Sequence, residues 1–93
     1  MDFDWSDAKE AEVRAERGHG FRVPSRIFAG RTVEWEDDRD DYGEIRMIAV
    51  GRVERRYWTV VYTDREDATG PYRWIITAWP SEKWEQQRWR AGA

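Results

Sequence analysis

The sequence has no cysteine, which removes both disulfide staples and thiolate-bound metals from consideration. Its single histidine, His19, leaves a conventional zinc site without a second nitrogen ligand. No apolar run approaches the ~20 residues that span a bilayer, and no charged-then-apolar leader opens the chain. Together these absences predict a soluble, cytoplasmic protein that makes no use of a membrane. Cofactor motifs are missing too. Gly18-x-Gly20 lacks the third glycine of a dinucleotide fingerprint, and no phosphate-binding loop is present. Ser6, Ser25 and Ser81, the only serines, lie outside any nucleophile elbow. The acidic run from Asp38 places Asp40 and Gly43 at the third and sixth positions of a calcium loop, but Ala49 stands where that loop needs a bidentate Glu. The expected cofactor complement is none, and the expected metal complement is none.

What is present is aromatic and charged. The 93 residues include seven Trp, four Tyr and three Phe, and that length fits a single domain over 1–93. A domain of this size buries only about 60–65% of the surface its unfolded chain exposes, so large rings are an efficient way to build its core. The formal net charge is −3, at first sight unsuited to RNA. Six of the 19 acids, with only one of the 16 Lys and Arg, fall within residues 34–43, and the rest of the chain holds 13 acids against 15 bases. A weakly basic body carrying one acidic loop is compatible with a local phosphate-binding face.

Hydrophobic pattern and turn chemistry give an α+β order of β-α-α-β-β-β-β-α. Residues 2–5 read as a strand, Ser6 as an N-cap, Asp7 to Arg17 as a helix and Gly18 as its stop. Pro24 suits the first position of a short helix to Phe28. Strands are predicted over Thr32 to Glu36, Glu44 to Val53, Tyr57 to Thr63 and Tyr72 to Trp79, with Asp64 to Pro71 as a hairpin loop. Pro80 ends the last strand, and Ser81 caps a helix to about Arg90. The expected architecture is a compact antiparallel sheet of about four to five strands, with helices packed against it.

Several segments, taken in order, resemble one family. Phe3-Asp4-Trp5 before a Lys-bearing helix, Gly18-His19-Gly20, and Asp41-Tyr42-Gly43-Glu44-Ile45-Arg46 followed by Ile48-Ala49-Val50-Gly51 are the first. Val60-Val61-Tyr62-Thr63-Asp64-Arg65, Ile75-Ile76-Thr77-Ala78 and Glu85 complete the set. The chain is similar to BrnT toxins of bacterial type II toxin–antitoxin pairs. That resemblance implies a RelE-like fold and a ribonuclease that arrests translation. It also implies a BrnA-type antitoxin with a ribbon-helix-helix portion, in a heterotetramer with two toxin copies. Trp79 stands where the family usually has Arg, and Arg73 on the same strand is a substitute. Ala15 and Gly18 replace the family's Asn and Lys around its Lys-His-Gly turn.

RNA cleavage without a metal needs a base for the 2′-hydroxyl proton and cations for the charged phosphorane. Arg46 and Arg65 are the leading phosphate contacts, because guanidinium matches phosphate oxygens bidentately. With Ile45, Met47 and Ala49 facing inward, Arg46 projects from the other side of its strand. Glu44 shares that side and serves either as the base or as an ion-pair partner. His19, between two glycines, has two uses as well: catalysis, or a ring hydrogen bond that fixes the turn. Tyr62, Arg73 and Lys83 are candidates to bind substrate. Trp58 and Tyr62 share one face of their strand, as do Trp74, Ile76 and Ala78, whereas Trp79 falls on the opposite face and is the candidate for partner contact. The alternative function is a binding module that keeps the fold without activity, suggested by Trp79 and the negative net charge.

Overall fold

The computed structural model of the chain describes residues 2–92. β1 (Asp2–Trp5) leads into α1 (Asp7–Arg17). Ser6 caps α1 by accepting the backbone N–H of Lys9, and Gly18 closes it with a left-handed φ of 81°, a conformation in which a Cβ is costly. α2 (Arg22–Ser25) runs straight into a 3-10 turn, Arg26–Ala29. The helix therefore starts two residues before Pro24. A proline is tolerated there because the first-turn N–H groups have no helical acceptor.

The remaining strands are β2 (Thr32–Glu36), β3 (Met47–Val53), β4 (Arg56–Asp67) and β5 (Gly70–Pro80), and α3 (Lys83–Ala91) follows them. The sheet has the order β1-β5-β4-β3-β2. As expected, β2, β3, β4 and β5 pair antiparallel. β1 departs from that expectation and lies parallel to β5. Antiparallel neighbours need only a tight turn, whereas a parallel pair needs a long connection, and between β1 and β5 most of the chain intervenes. The predicted loop 64–71 is mostly strand: Asp67 pairs with Gly70, so Ala68 and Thr69 alone form the turn. Asp67 stabilises it by accepting from both the N–H and the hydroxyl of Thr69.

One face of the sheet carries α1, α2 and the 3-10 turn. Val13, Phe21 and Ile27 from these segments pack on Ala49, Trp58, Val60, Tyr62, Ile75 and Ala78, which bears out the shared face of Trp58 and Tyr62. A Cβ on Gly51 would lie 2.6 Å from that of Ile27, so the glycine is what lets the 3-10 turn sit this close. A bulge at Val61/Tyr62 shifts the register by one residue. Consequently Trp74 pairs with Thr63 and is out of step with Ala78, against the face-sharing expected for Trp74, Ile76 and Ala78.

α3 covers the opposite face, over Trp35, Ile48 and Trp79. Its N-cap is Glu82 rather than Ser81, in a reciprocal capping box with Glu85. Ser81 is buried instead, sharing a 2.8 Å hydrogen bond with Thr59. Glu85, only 2% exposed, accepts from the indole N–H of Trp79 at 3.0 Å and from the backbone of Glu82 at 2.8 Å.

Candidate functional site

The segment before β3 is where the structure departs most from the sequence pattern. β3 begins at Met47, and Ile45, expected to face inward, is 68% exposed. Residues 44–46 are instead laid against the sheet from outside. Gly43 turns the chain with a φ of 70°. The hydroxyl of Thr63 then donates to the Ile45 carbonyl at 2.8 Å, and the Asp37 N–H donates to the Arg46 carbonyl at 2.7 Å. These two bonds hold the segment between β4 and the end of β2.

Its effect is to bring together three predicted residues. Glu44 Oε1 lies 3.4 Å from Arg46 Nε, and its Oε2 lies 3.5 Å from Arg65 Nη2. The guanidinium of Arg46 stacks on Tyr42 at 3.9 Å, and that of Arg65 lies over Trp74 at 4.7 Å. Ring stacking fixes the plane of each guanidinium and turns its N–H edge towards an anion, here the Glu44 carboxylate. The side chains of Glu44, Arg46 and Arg65 are 32%, 26% and 40% exposed, so solvent reaches all three. A carboxylate between two guanidiniums combines a proton acceptor with two charge stabilisers.

Tyr62 and Arg73 belong to a second group on the helix-bearing face. Tyr62 donates its hydroxyl proton to Glu34 Oε1, and Thr32 donates to Oε2 of the same carboxylate at 2.7 Å. Burial, reinforced by the bond to Glu34, pushes the Tyr62 hydroxyl well above its ordinary range. Arg73 lies over the Tyr62 ring at 4.0 Å and the Phe28 ring at 4.8 Å. It donates to both oxygens of Asp64, at 2.9 and 3.3 Å. Burial pulls the Arg73 pKa down, but the bond to Asp64 and the negative field of its neighbours outweigh this and leave it raised.

The other candidates stand apart. His19 is at the opposite end of β4, its ring edge-to-face with Trp58 at 4.8 Å. Trp58 and Arg65 are separated by seven strand steps, roughly 20 Å at ~3.3 Å per residue. His19 Nδ1 lies 3.0 Å from the Gly20 carbonyl, the turn-fixing bond that was one of its two expected uses. Its Nε2, like Trp58 Nε1, is buried and makes no hydrogen bond among the described residues. Lys83 is exposed on the first turn of α3. Trp79 is on the face expected for it, half-buried where α3 lies over it.

Residues 34–43, read as one acidic loop, divide between three uses. Glu34 is a strand residue bound by Tyr62 and Thr32. Asp37 is 4% exposed, and Arg39 donates to both its oxygens at 2.6 and 2.7 Å. Those bonds hold the Asp37 carboxyl below the usual carboxylate range. Asp41 caps the turn at Gly43. Sequence reasoning also passed over Arg22 and Arg26, although their spacing of four on a short helix is a signal for one shared side.

A family model described as the ribonuclease toxin, BrnT, of type II toxin–antitoxin systems matches residues 5–85. The chain belongs to the BrnT family. The matched span contains Glu44, Arg46 and Arg65, the Tyr62–Glu34–Arg73 group, His19 and most of the core. A comparison with curated proteins gave no match. Toxins of the BrnT family are ribonucleases that act opposite an antitoxin, so the family supplies both a reaction class and a partner class. Among the described residues no helix is long and apolar enough to cross a membrane.

Proposed function

We propose that the chain is a single RelE-like toxin domain that cleaves RNA in the cytoplasm without a metal and thereby stops translation. The observation that carries this reading is the convergence of Arg46 and Arg65 on the one carboxylate of Glu44. In this mechanism Glu44 takes the proton of a ribose 2′-hydroxyl, and the freed oxygen attacks the adjacent phosphorus. Arg46 and Arg65 hold the non-bridging oxygens as negative charge builds on the phosphorane. The bond to the 5′-oxygen then breaks, and that oxygen takes a proton from solvent, leaving a cyclic phosphate and a 5′-hydroxyl end. Arg73 and Lys83 are assigned to holding RNA outside the reacting atoms, whereas Tyr62, expected to do the same, is a core residue 4% exposed whose hydroxyl is taken by Glu34. His19 is too distant to act on the same phosphodiester.

The proposed partner is a BrnA-type antitoxin with a ribbon-helix-helix portion, in a heterotetramer with two copies of this chain. Stable complexes bury about 1,200–2,000 Å², enough to cover the Glu44 region along with neighbouring surface. Purified, antitoxin-free protein incubated with total RNA tests the activity, and degraded RNA is the expected result. Intact RNA together with unimpaired growth on expression refutes it. The mass of the purified complex tests the stoichiometry.

One observation favours a second reading, a catalytically silent binding module of the same fold. Arg46, Arg65 and Arg73 each already have a carboxylate partner. RNA left intact by a protein that still binds its antitoxin supports this alternative.

A further inference from the structure

A cleft of about 720 Å³ opens on the helix-bearing face, between β1, the α2 segment and β2. Its volume lies within the range of small-molecule sites, roughly 300–1,000 Å³. Phe3 and Phe28 line it and stack on each other, with centroids 5.5 Å apart and planes 22° from parallel. Arg22 and Arg26 stand exposed on one side, while Arg73 and Glu34 line it from the sheet. Nothing in the Glu44, Arg46 and Arg65 group lines this cleft.

We propose that this cleft binds one guanine nucleotide, with the base against the phenylalanines, its Watson–Crick edge on Glu34 and its phosphate at Arg22 and Arg26. The decisive group is Glu34. Its two oxygens accept one bond each, from Tyr62 and Thr32, which fixes the carboxylate in place and leaves further lone pairs on both. A fixed carboxylate with two open acceptor positions is complementary to two adjacent N–H donors. Guanine presents that pair at N1 and N2. Adenine and cytosine set one amino donor beside a bare ring nitrogen, and uracil flanks its single N–H with carbonyl oxygens, so each of them brings an acceptor against the carboxylate.

The other walls suit the rest of the nucleotide. Phenyl rings provide a stacking surface that accepts any base. The lining carries three arginines against two acids, Asp2 and Glu34; Arg73 is paired with Asp64, which leaves Arg22 and Arg26 as the cations placed for a phosphate. The choice of a nucleotide as ligand rests on the RNA reading above, whereas the base preference rests on Glu34 alone.

Binding of 5′-GMP, AMP, CMP and UMP to the purified chain, followed by calorimetry, tests the proposal without any cleavage. GMP is expected to bind about tenfold or more tightly than the others. Glu34→Gln, with one acceptor and one donor in place of the carboxylate, is expected to abolish that preference. Arg22→Ala with Arg26→Ala is expected to weaken all four nucleotides alike. Equal affinity for the four, or binding of none, overturns the proposal. A 2′-O-methyl RNA oligomer with one guanine among uracils, compared with an all-uracil oligomer, separates the sources. Preference carried into the oligomer assigns the site to RNA, and preference confined to GMP assigns it to free nucleotide. Neither arm depends on whether the protein cuts RNA, so failure of the nuclease reading is seen separately.

Discussion

Arg46 and Arg65 come from different segments and end on the two oxygens of one carboxylate, each within 3.5 Å of Glu44. In the proposed mechanism a phosphate entering between them replaces or joins Glu44 as their shared partner. Arg46→Ala and Arg65→Ala are each expected to slow RNA cleavage by about 10²-fold, the scale for loss of one transition-state donor. Because they share Glu44, the double variant should lose less than the product of the two single losses. Glu44→Gln should also slow cleavage, since the amide cannot take the proton. Rates from a gel time course decide among these, and an unchanged rate in the Arg65 variant removes it from the site.

The hydroxyl of Tyr62 provides a pH test. Its folded pKa lies above the unfolded value of 10.0, so the folded state keeps its proton more tightly than the unfolded chain does. The stabilisation from this group is therefore fully present below about pH 10 and is lost as pH rises towards the folded value. An ultraviolet titration of the four tyrosines should show one that ionises late, and Tyr62→Phe should remove that late step. Four tyrosines ionising together contradict the buried donor.

Gly51 is a packing position. In Gly51→Ala the new methyl meets Ile27 at 2.6 Å, a clash with the root of a buried side chain rather than a flexible tip. Overpacking of this kind costs about 1–3 kcal/mol. For a domain of this size each kcal/mol lowers Tm by about 4–8 °C. Thermal unfolding measures the change, and an unaltered Tm shows that the 3-10 turn adjusts freely.

Glu85 ties α3 to the sheet through Trp79. Glu85→Ala leaves two donors without an acceptor, the indole N–H and the backbone N–H of Glu82. An unsatisfied buried polar group costs about 1–3 kcal/mol. Glu85→Gln keeps a carbonyl acceptor and should cost less. Denaturant titration of the two variants compares them, and equal stability shows that helix packing alone retains α3.

Much of this fold is legible in the sequence because local chemistry and tertiary context agree. Ser6 and Gly18 bound α1 as their residue types dictate, and the β-branched, aromatic runs give β2 through β5. The divergences occur where long-range contacts override local pattern. The turn signals around Asp64 were real but needed only two residues, since cross-strand pairing carried both strands further. Ile45 breaks the alternation because Thr63 captures its carbonyl and Asp37 captures that of Arg46. The site was legible in part for the same reason. Arg46, Arg65 and Glu44 were readable as chemistry, yet their meeting depends on a backbone path that alternation does not predict. Glu34 was hidden among acids that looked alike in sequence and differ only in what surrounds them.

The parallel pairing of the first strand with the fifth has a bearing on the order in which the sheet assembles. Phe3 meets its neighbour across the ladder, Arg73, only once the long stretch of chain between them has been made. A nascent polypeptide halted between the two has an unpaired first strand and one wall of the cleft without the other. Contacts this distant in sequence also form slowly once both segments exist. Closure of that cleft therefore waits on the most widely separated pairing in the sheet.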